Sequence, residues 1–275
     1  MNKTKVSFVI IYTNDTQLEE CKKWIEKQTY SGEVEYVILD NRGNKSFASA
    51  TKALNEGAKR ATGDILFFMH QDVYLWDVNA IKNIVEYLQG KEDVIVGAAG
   101  IALSDYQAHF DIFMKDNPKH LSWTTNGKCL EALTLDELLL VMNRKTFDKY
   151  RFDEVTCDNW HCYGADICLT NYLAGGKNII FPLEICHDSY GLPGSDAFIT
   201  SVIKLAKKYE GKIKRLTTTC IDCKCSEKGV LAYYKRKKRI AKFKNFLKKV
   251  GLYGLFKKIN RRRKIRKGQF IVDED

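Results

Sequence analysis

Ile65-Leu-Phe-Phe-Met-His-Gln-Asp-Val73 is the stretch on which the reading of this chain turns. Five large apolar residues, Ile65–Met69, run straight into His70, Gln71 and Asp72, after which the chain becomes amphipathic. A buried strand that stops at metal-capable side chains delivers a carboxylate to the carboxyl edge of a sheet, and open α/β sheets take their ligands at that edge. The same letters also describe a core strand followed by a solvated turn. The flanking sequence decides between the two.

Upstream, Val6–Tyr12 is β-branched and aromatic with almost no polar interruption, which predicts a buried strand. Asp15–Gln28 predicts a helix, capped by Asp15 or Thr16, with Leu18, Cys21, Trp24 and Ile25 on one face. Glu35–Leu39 predicts a second strand ending at Asp40-Asn41-Arg42-Gly43. Ser46–Ala61 predicts a helix with Ala50, Ala53, Leu54 and Ala58 as its apolar stripe, broken by Thr62-Gly63-Asp64. Downstream, Asp77–Leu88 reads as a helix and Val94–Leu103 as a strand. This alternation predicts an α/β fold with a mostly parallel sheet and helices on both faces.

Farther on, Ser104–Leu130 has weak periodicity and reads as an irregular excursion near a binding face. Leu138–Met142 is a strand, Lys145–Tyr150 a short helix, and Tyr163–Leu173 a helix ended by Gly175-Gly176. Asn178–Phe181 is a strand stopped by Pro182, with His187 just beyond.

A chain of 275 residues holds one large domain, or one domain with an appendage. Its 45% hydrophobic and 29% charged residues are ordinary for a soluble globular protein. No apolar run approaches the roughly 18 residues that cross a bilayer. Val6–Ile11 is too short for an export signal, and nine cysteines without one imply reduced thiols in a cytosol. The net charge of +11 is unevenly spread: Gly229–Val272 carries 17 Lys or Arg and no acid, leaving 28 basic against 34 acidic residues elsewhere. The organisation expected is a mildly acidic domain, residues 1–226, and a basic tail, residues 227–275, with the break between Cys225 and Gly229.

In a parallel sheet all strand ends open on one edge, so polar residues far apart in sequence can converge there. Thr13, Asn14 and Asp15 follow the first strand, Asp40 and Asn41 the second, Asp72 the third, and His187 the last, while Asp166 lies in the Tyr163–Leu173 helix. A strand-end Asp such as Asp40 suits a nucleotide base or ribose, or equally a turn.

The order of these pieces carries a resemblance. Tyr12-Thr13-Asn14 is followed by Asp40-Asn41, then by a helix ending Asn55-Glu56-Gly57-Ala58-Lys59-Arg60-Ala61-Thr62-Gly63-Asp64, then by His70-Gln71-Asp72. Phe152-Asp153-Glu154, Tyr163-Gly164-Ala165-Asp166 and His187 complete it. Over residues 5–190 the chain resembles the family 2 glycosyltransferases of GT-A fold, in a bacterial subgroup with His-Gln-Asp as its metal motif. The resemblance implies a nucleotide-sugar donor, commonly a UDP-sugar, a divalent cation (Mn²⁺ or Mg²⁺), and inversion at the anomeric carbon. It implies Asp72, His187 and His70 as metal residues, and Tyr12, Thr13, Asn14, Asp40, Asn41, Ser49, Gln71 and Asp72 on the donor side. Asp166 is implied as the base for the acceptor hydroxyl. Trp160, His161 and Tyr163 just before it offer aromatic faces that read as an acceptor platform, or as core packing. Processive-synthase motifs are absent, which favours the addition of one sugar.

Cys220-x-x-Cys223-x-Cys225 supplies three thiolates, one short of a closed zinc site. In the tail, Ile240, Phe243, Leu247, Val250, Phe256 and Ile259 recur at helical spacing among Lys and Arg, with Gly251 and Gly254 dividing two helical pieces. Such a helix suits an anionic membrane surface, which predicts peripheral attachment to the inner face of a membrane through residues 229–272 and an acceptor presented there, either a cell-surface glycan or a lipid-linked saccharide. No nucleic-acid recognition fold accompanies the basic charge. Two other readings stand beside transfer: a nucleotidyltransferase, and a non-catalytic sugar- or lipid-binding scaffold.

Overall fold

A computed structural model describes residues 4–115, 117–123 (backbone only), 125–188 and 194–254, together with 256 and 258. Strand β1 (Val6–Tyr12) lies between β2 (Val34–Asp40) and β3 (Ile65–Met69) and runs parallel to both, so that Val9 pairs with Val37 on one side and Phe68 on the other. Alternate residues of β1 enter two different cores, as the two-residue strand period requires. Val9 packs with helix α2 (Ala50–Arg60), while Phe8 and Ile10 pack with helices α1 (Asp15–Glu26) and α3 (Ala80–Leu88). Helix α2 sits close because residue 57 is glycine; a Cβ there would collide with Val9 and Leu39.

The sheet continues from β3 through β10 (Leu139–Asn143), β5 (Val94–Gly97), β11 (Lys177–Ile180), β9 (Leu130–Leu135), β6 (Ala99–Ala102), β7 (Ala108–Met114) and β12 (Ile185–His187) to β4 (Val73–Leu75), with β8 (Asn117–Trp123) on β7. The pairings β10–β3, β10–β5, β11–β9, β6–β9, β6–β7, β7–β8 and β12–β4 are antiparallel. The α/β class therefore holds, but the sheet is mixed, the parallel pairings being β1–β2, β1–β3, β5–β11 and β7–β12.

One consequence of this order positions the site. β3 and β4 stand far apart in the sheet yet are joined by only His70, Gln71 and Asp72. At 3.8 Å per residue the link spans at most about 15 Å, so the sheet must curl until its far edge returns to β3. Pairing of β12 with β4 then sets His187 opposite Val73, beside Asp72.

Helices α4 (Arg144–Tyr150), α5 (Tyr163–Leu173) and α6 (Asp196–Tyr209) pack on the α2 side, and a hairpin of β13 (Arg215–Thr217) and β14 (Asp222–Lys224) precedes α7 (Glu227–Lys249). Several expected boundaries move. Asn14, not Asp15 or Thr16, caps α1, its side chain accepting from the backbone N–H groups of Thr16 and Gln17. The helix expected over 46–61 starts at Ala50 because Ser49 caps it, and the one expected over 77–88 starts at Ala80. Val94–Leu103 divides into β5 and β6, and the supposedly irregular 104–130 contains the β7–β8 pair. His187 closes a strand where a loop was expected. The tail begins as one 23-residue helix whose first turns are docked, with Val230 fully buried; its break comes at Gly251, where φ is +72°. Ile259 and residues 260–275 lie outside the described residues.

Glu35 ties β2 to the Thr62-Gly63 turn, accepting from Ser7 Oγ and from the Thr62 backbone N–H and hydroxyl. Burial alone would push this carboxyl up, but those hydrogen bonds and the Lys5 charge bring it down to about 2. A depressed carboxylate stabilises the fold above its unfolded pKa and loses that contribution as pH falls through the folded value. Glu35→Ala is therefore expected to cost about 2 kcal/mol at neutral pH by urea denaturation. The difference from the unsubstituted protein should close between about pH 4.5 and 2.

Candidate metal and substrate site

The curl of the sheet brings three metal-capable side chains together. One ligand atom each of His70, Asp72 and His187 lies within 4.8 Å of the others, and His187 Nε2 is 3.5 Å from Asp72 Oδ2. All three are partly buried. His70 Nε2 is 2.9 Å from the Tyr163 hydroxyl at the start of α5, and its backbone N–H donates to Leu138 O, which fixes the ring's position. Burial, against the pull of Asp72, holds the His70 imidazole below its usual pKa, so at neutral pH it is uncharged, as a metal ligand must be. Two imidazoles and one carboxylate form a donor set suited to Mn²⁺ and less to Mg²⁺, which prefers oxygen.

This cluster borders a cavity of about 360 Å³, at the smaller end of small-molecule sites. His70 and His187 line it with Asp136, Glu137, Trp160 and His161. The opposite wall comes from α6, through Phe198, Val202 and Leu205, and from the turn at Thr218–Ile221 that links β13 to β14. Trp160 and His161, the expected acceptor platform, thus stand in the cavity, the His161 ring edge-on to Phe198 at 5.2 Å.

The carboxylates facing this space are Asp136 and Glu137. They follow the buried β9 at the point where the chain turns back into β10. Asp136 Oδ2 accepts from the Thr219 hydroxyl at 2.5 Å. Glu137 reaches the first turn of α5, where its Oε1 accepts from the Gly164 N–H at 3.3 Å and the backbone N–H groups of Cys162 and Tyr163 also point at it. Glycine at 164 matters here, because a Cβ would crowd the Glu137 side chain. Burial, then the Asp136 charge, push the Glu137 carboxyl up to about 8 in spite of those donors.

Asp166 is placed differently from the expectation. It is 2% exposed, and both carboxylate oxygens accept from Lys208 Nζ, at 2.6 and 2.9 Å, while the Tyr209 hydroxyl donates to Oδ1 at 3.0 Å. It is not among the residues lining the cavity; its neighbour Ala165 is. Asp153 shares Lys208 and is drawn well below the usual carboxylate range, burial notwithstanding, by Thr156 and then Lys208. Asp166 thus belongs to a buried ion-pair network that holds α5 to α6, away from the residues lining the cavity.

The expected donor-side residues are brought to one edge, but several are engaged in holding the backbone. Gln71 Oε1 accepts from the Thr13 and Asn14 N–H groups, and its amide donates to Thr13 Oγ1, clipping the ends of β1 and β3 together. Asn41 is fully buried and accepts from the Ser46 and Phe47 N–H groups, shaping the loop after β2. Ser49 is 1% exposed and caps α2. The side chains of these two hold the backbone of the loop and of α2, and Asn14 spends its side-chain oxygen on the α1 cap. Asp40 is exposed but bound by Arg42, whose guanidinium also stands 5.3 Å from the centre of the Tyr12 ring. Tyr12, Thr13 and Asp40 stand at the ends of β1 and β2, on the edge where Gln71 ties β3 to β1.

Sequence reasoning missed Asp136, Glu137 and the Tyr163 contact. The available signal was Leu135-Asp136-Glu137-Leu138, two adjacent acids between aliphatic runs that form buried strands. No zinc site accompanies the thiols: among the described residues His70, Asp72 and His187 are the only group of three with metal-binding spacing. Burial pushes Cys223 and Cys225 up to about 11, so both are protonated.

The fold and the metal cluster together define a GT-A-type protein. Residues 7–185 match the model of the glycosyltransferase-like family, which is well over half of the chain. The chain belongs to that family, and its membership supports glycosyl transfer. None of the curated proteins matches the sequence. Among solved structures the chain is similar to GalNAc-T7 with UDP, GalNAc and Mn²⁺ (TM-score 0.53, 13% identity, covering 74% of this chain and 48% of that one). It also matches the mannosyltransferase PcManGT from Pyrobaculum calidifontis in complex with GDP-Man and Mn²⁺ (TM-score 0.48, 12% identity, covering 74% and 61%). At these identities the first likeness establishes the fold alone. This chain spans about half of the first protein's length and three-fifths of the second's.

Proposed function

We propose that the protein is a metal-dependent, inverting glycosyltransferase that moves a sugar from a nucleotide-sugar, most simply a UDP-sugar, to a cell-surface glycan or lipid-linked saccharide. The observation that carries the reading is the His70–Asp72–His187 cluster on the wall of a sugar-sized cavity that also holds two carboxylates. Asp72, His187 and His70 would hold Mn²⁺ or Mg²⁺, the donor set favouring Mn²⁺. Such a cation neutralises charge developing on the departing nucleoside diphosphate.

The rest falls to the chain's own residues. Tyr12, Thr13 and Asp40 border the nucleotide, with Gln71 and Asn14 fixing the edge on which it lies. Trp160 presents an aromatic face to the acceptor, and His161 orients it. Inversion by a single displacement requires a carboxylate that takes the acceptor hydroxyl proton on the side away from the leaving group. Glu137, on the β9–β10 turn that lines the cavity and hydrogen-bonded to the start of α5, fills that role. Residues 1–226 form the transfer domain. The tail, residues 227–275, attaches it peripherally to the inner face of a membrane.

Calorimetric titration with a panel of nucleotide-sugars, with and without Mn²⁺, tests this. One donor is expected to bind at least about tenfold more tightly with the cation, by direct coordination of its diphosphate. Absence of binding by every nucleotide-sugar in the presence of Mn²⁺ would defeat the reading.

A further inference from the structure

A second concavity lies outside the transfer site, between α6 and α7. It is walled by Ile199, Leu231 and Tyr234 and rimmed by Lys235, Lys238, Arg239 and Lys242, with Asp196 as its one acid. The four cations recur at i, i+3, i+4 and i+7, so they stand on one face of α7. Among the described residues none of them pairs with a carboxylate, whereas nearby Lys207 pairs with Glu227. The concavity therefore carries a net excess of three positive charges over an apolar floor.

The same face runs on along the helix to Phe246, 58% exposed, flanked by Phe243 at 50% and Val250 at 47%. A cationic groove that opens onto protruding aromatic and aliphatic side chains matches an amphiphile with an anionic head and an apolar body. Soluble anions would leave the apolar half uncovered.

We propose that the α6–α7 groove is a docking site for the phosphate headgroups of an anionic phospholipid bilayer, with Phe243, Phe246 and Val250 entering the interface beside it. The proposal rests on the peripheral-membrane reading and sharpens it: this one face, and not the tail's diffuse charge, binds lipid. It also orients the enzyme. Phe198, Val202 and Leu205 on α6 line the transfer cavity while Asp196 and Ile199 on the same helix border the groove. A single helix thus separates bound lipid from the acceptor space, which suits an acceptor delivered from the membrane surface.

The test is co-sedimentation of the full chain with phosphatidylglycerol vesicles and with phosphatidylcholine vesicles. The unsubstituted protein is expected to sediment with the first only. Lys235→Glu/Lys238→Glu/Lys242→Glu should lower partitioning at least about 100-fold, since each cation at an anionic surface counts for several-fold. The charge-matched control on the opposite face, Lys237→Glu/Lys244→Glu/Lys248→Glu, should lower it less than about tenfold, and Asp196→Asn should raise it. Circular dichroism and Mn²⁺-dependent donor hydrolysis verify that the variants are folded. Failure of the unsubstituted protein to bind phosphatidylglycerol overturns the membrane reading as a whole. Equal losses in the two triple variants overturn the groove alone, and so does complete displacement from vesicles by stoichiometric RNA.

Discussion

Asp72→Asn is expected to lower metal-dependent sugar transfer by about a thousandfold or more. Asp72 is the only carboxylate of the three-residue cluster, and Asn keeps its shape while removing its charge. A cation that offsets developing negative charge contributes several kcal/mol to the transition state, and about 4 kcal/mol corresponds to roughly a thousandfold in rate. Chromatographic measurement of nucleoside diphosphate release gives the rate, and Mn²⁺ titration followed by electron paramagnetic resonance gives the affinity. Both should fall together. Retention of full Mn²⁺ affinity with full turnover would remove Asp72 from the ligand set. His187→Ala is expected to follow the same pattern more weakly, because a neutral ligand is lost and the charge stays.

Glu137→Gln is expected to reduce turnover by about 10²- to 10⁴-fold, the range of a positioned general base, with nucleotide-sugar binding unchanged. Gln preserves the hydrogen bond that the Gly164 N–H donates to residue 137, so the start of α5 should hold its place. A base must be deprotonated to act, so turnover should climb with pH through the Glu137 titration. The ascending limb is expected at or below about 8, since a bound cation lowers it, and it should vanish in the Gln variant. Asp166→Asn separates the two candidate acids. Because Asp166 is paired with Lys208 in the interior, its substitution is expected to lower thermal stability and leave the pH profile's shape intact. A flattened profile in Asp166→Asn with an unchanged profile in Glu137→Gln would reverse the assignment.

The sequence carried the first half of the fold well because local and long-range signals agree there. β1, β2 and β3 are short apolar runs ended by polar residues, and α1 and α2 have clear stripes. The mixed character of the sheet was not visible. The segments that became β5 and β6 form one unbroken apolar stretch, and nothing local says that it divides after Gly97, whose Cβ would meet Leu139 O. His70, Asp72 and His187 could be named because their order along the chain carries the resemblance to the family 2 glycosyltransferases. Their convergence depends on β12 pairing with β4, a contact between segments more than a hundred residues apart. The acids were harder to assign. Asp166 looks free on paper, yet its partner Lys208 lies on another helix, 42 residues on. Ser49 and Asn41 differ from Asp166, because their backbone partners, Lys52 for the first and Ser46 and Phe47 for the second, lie close in sequence and make a local cap and turn.

The return of the sheet upon itself makes the three residues 70–72 a seam between its third strand, β3, and its far edge, formed by β4 with β12. His70 and Asp72 sit on that seam and His187 faces them across it, so an ion gripped by all three would act as a buckle on a closed belt. Shape and chemistry are then inseparable in this molecule: whatever loosens the far edge strand also dismantles the grip, and whatever fills the grip draws the belt tight.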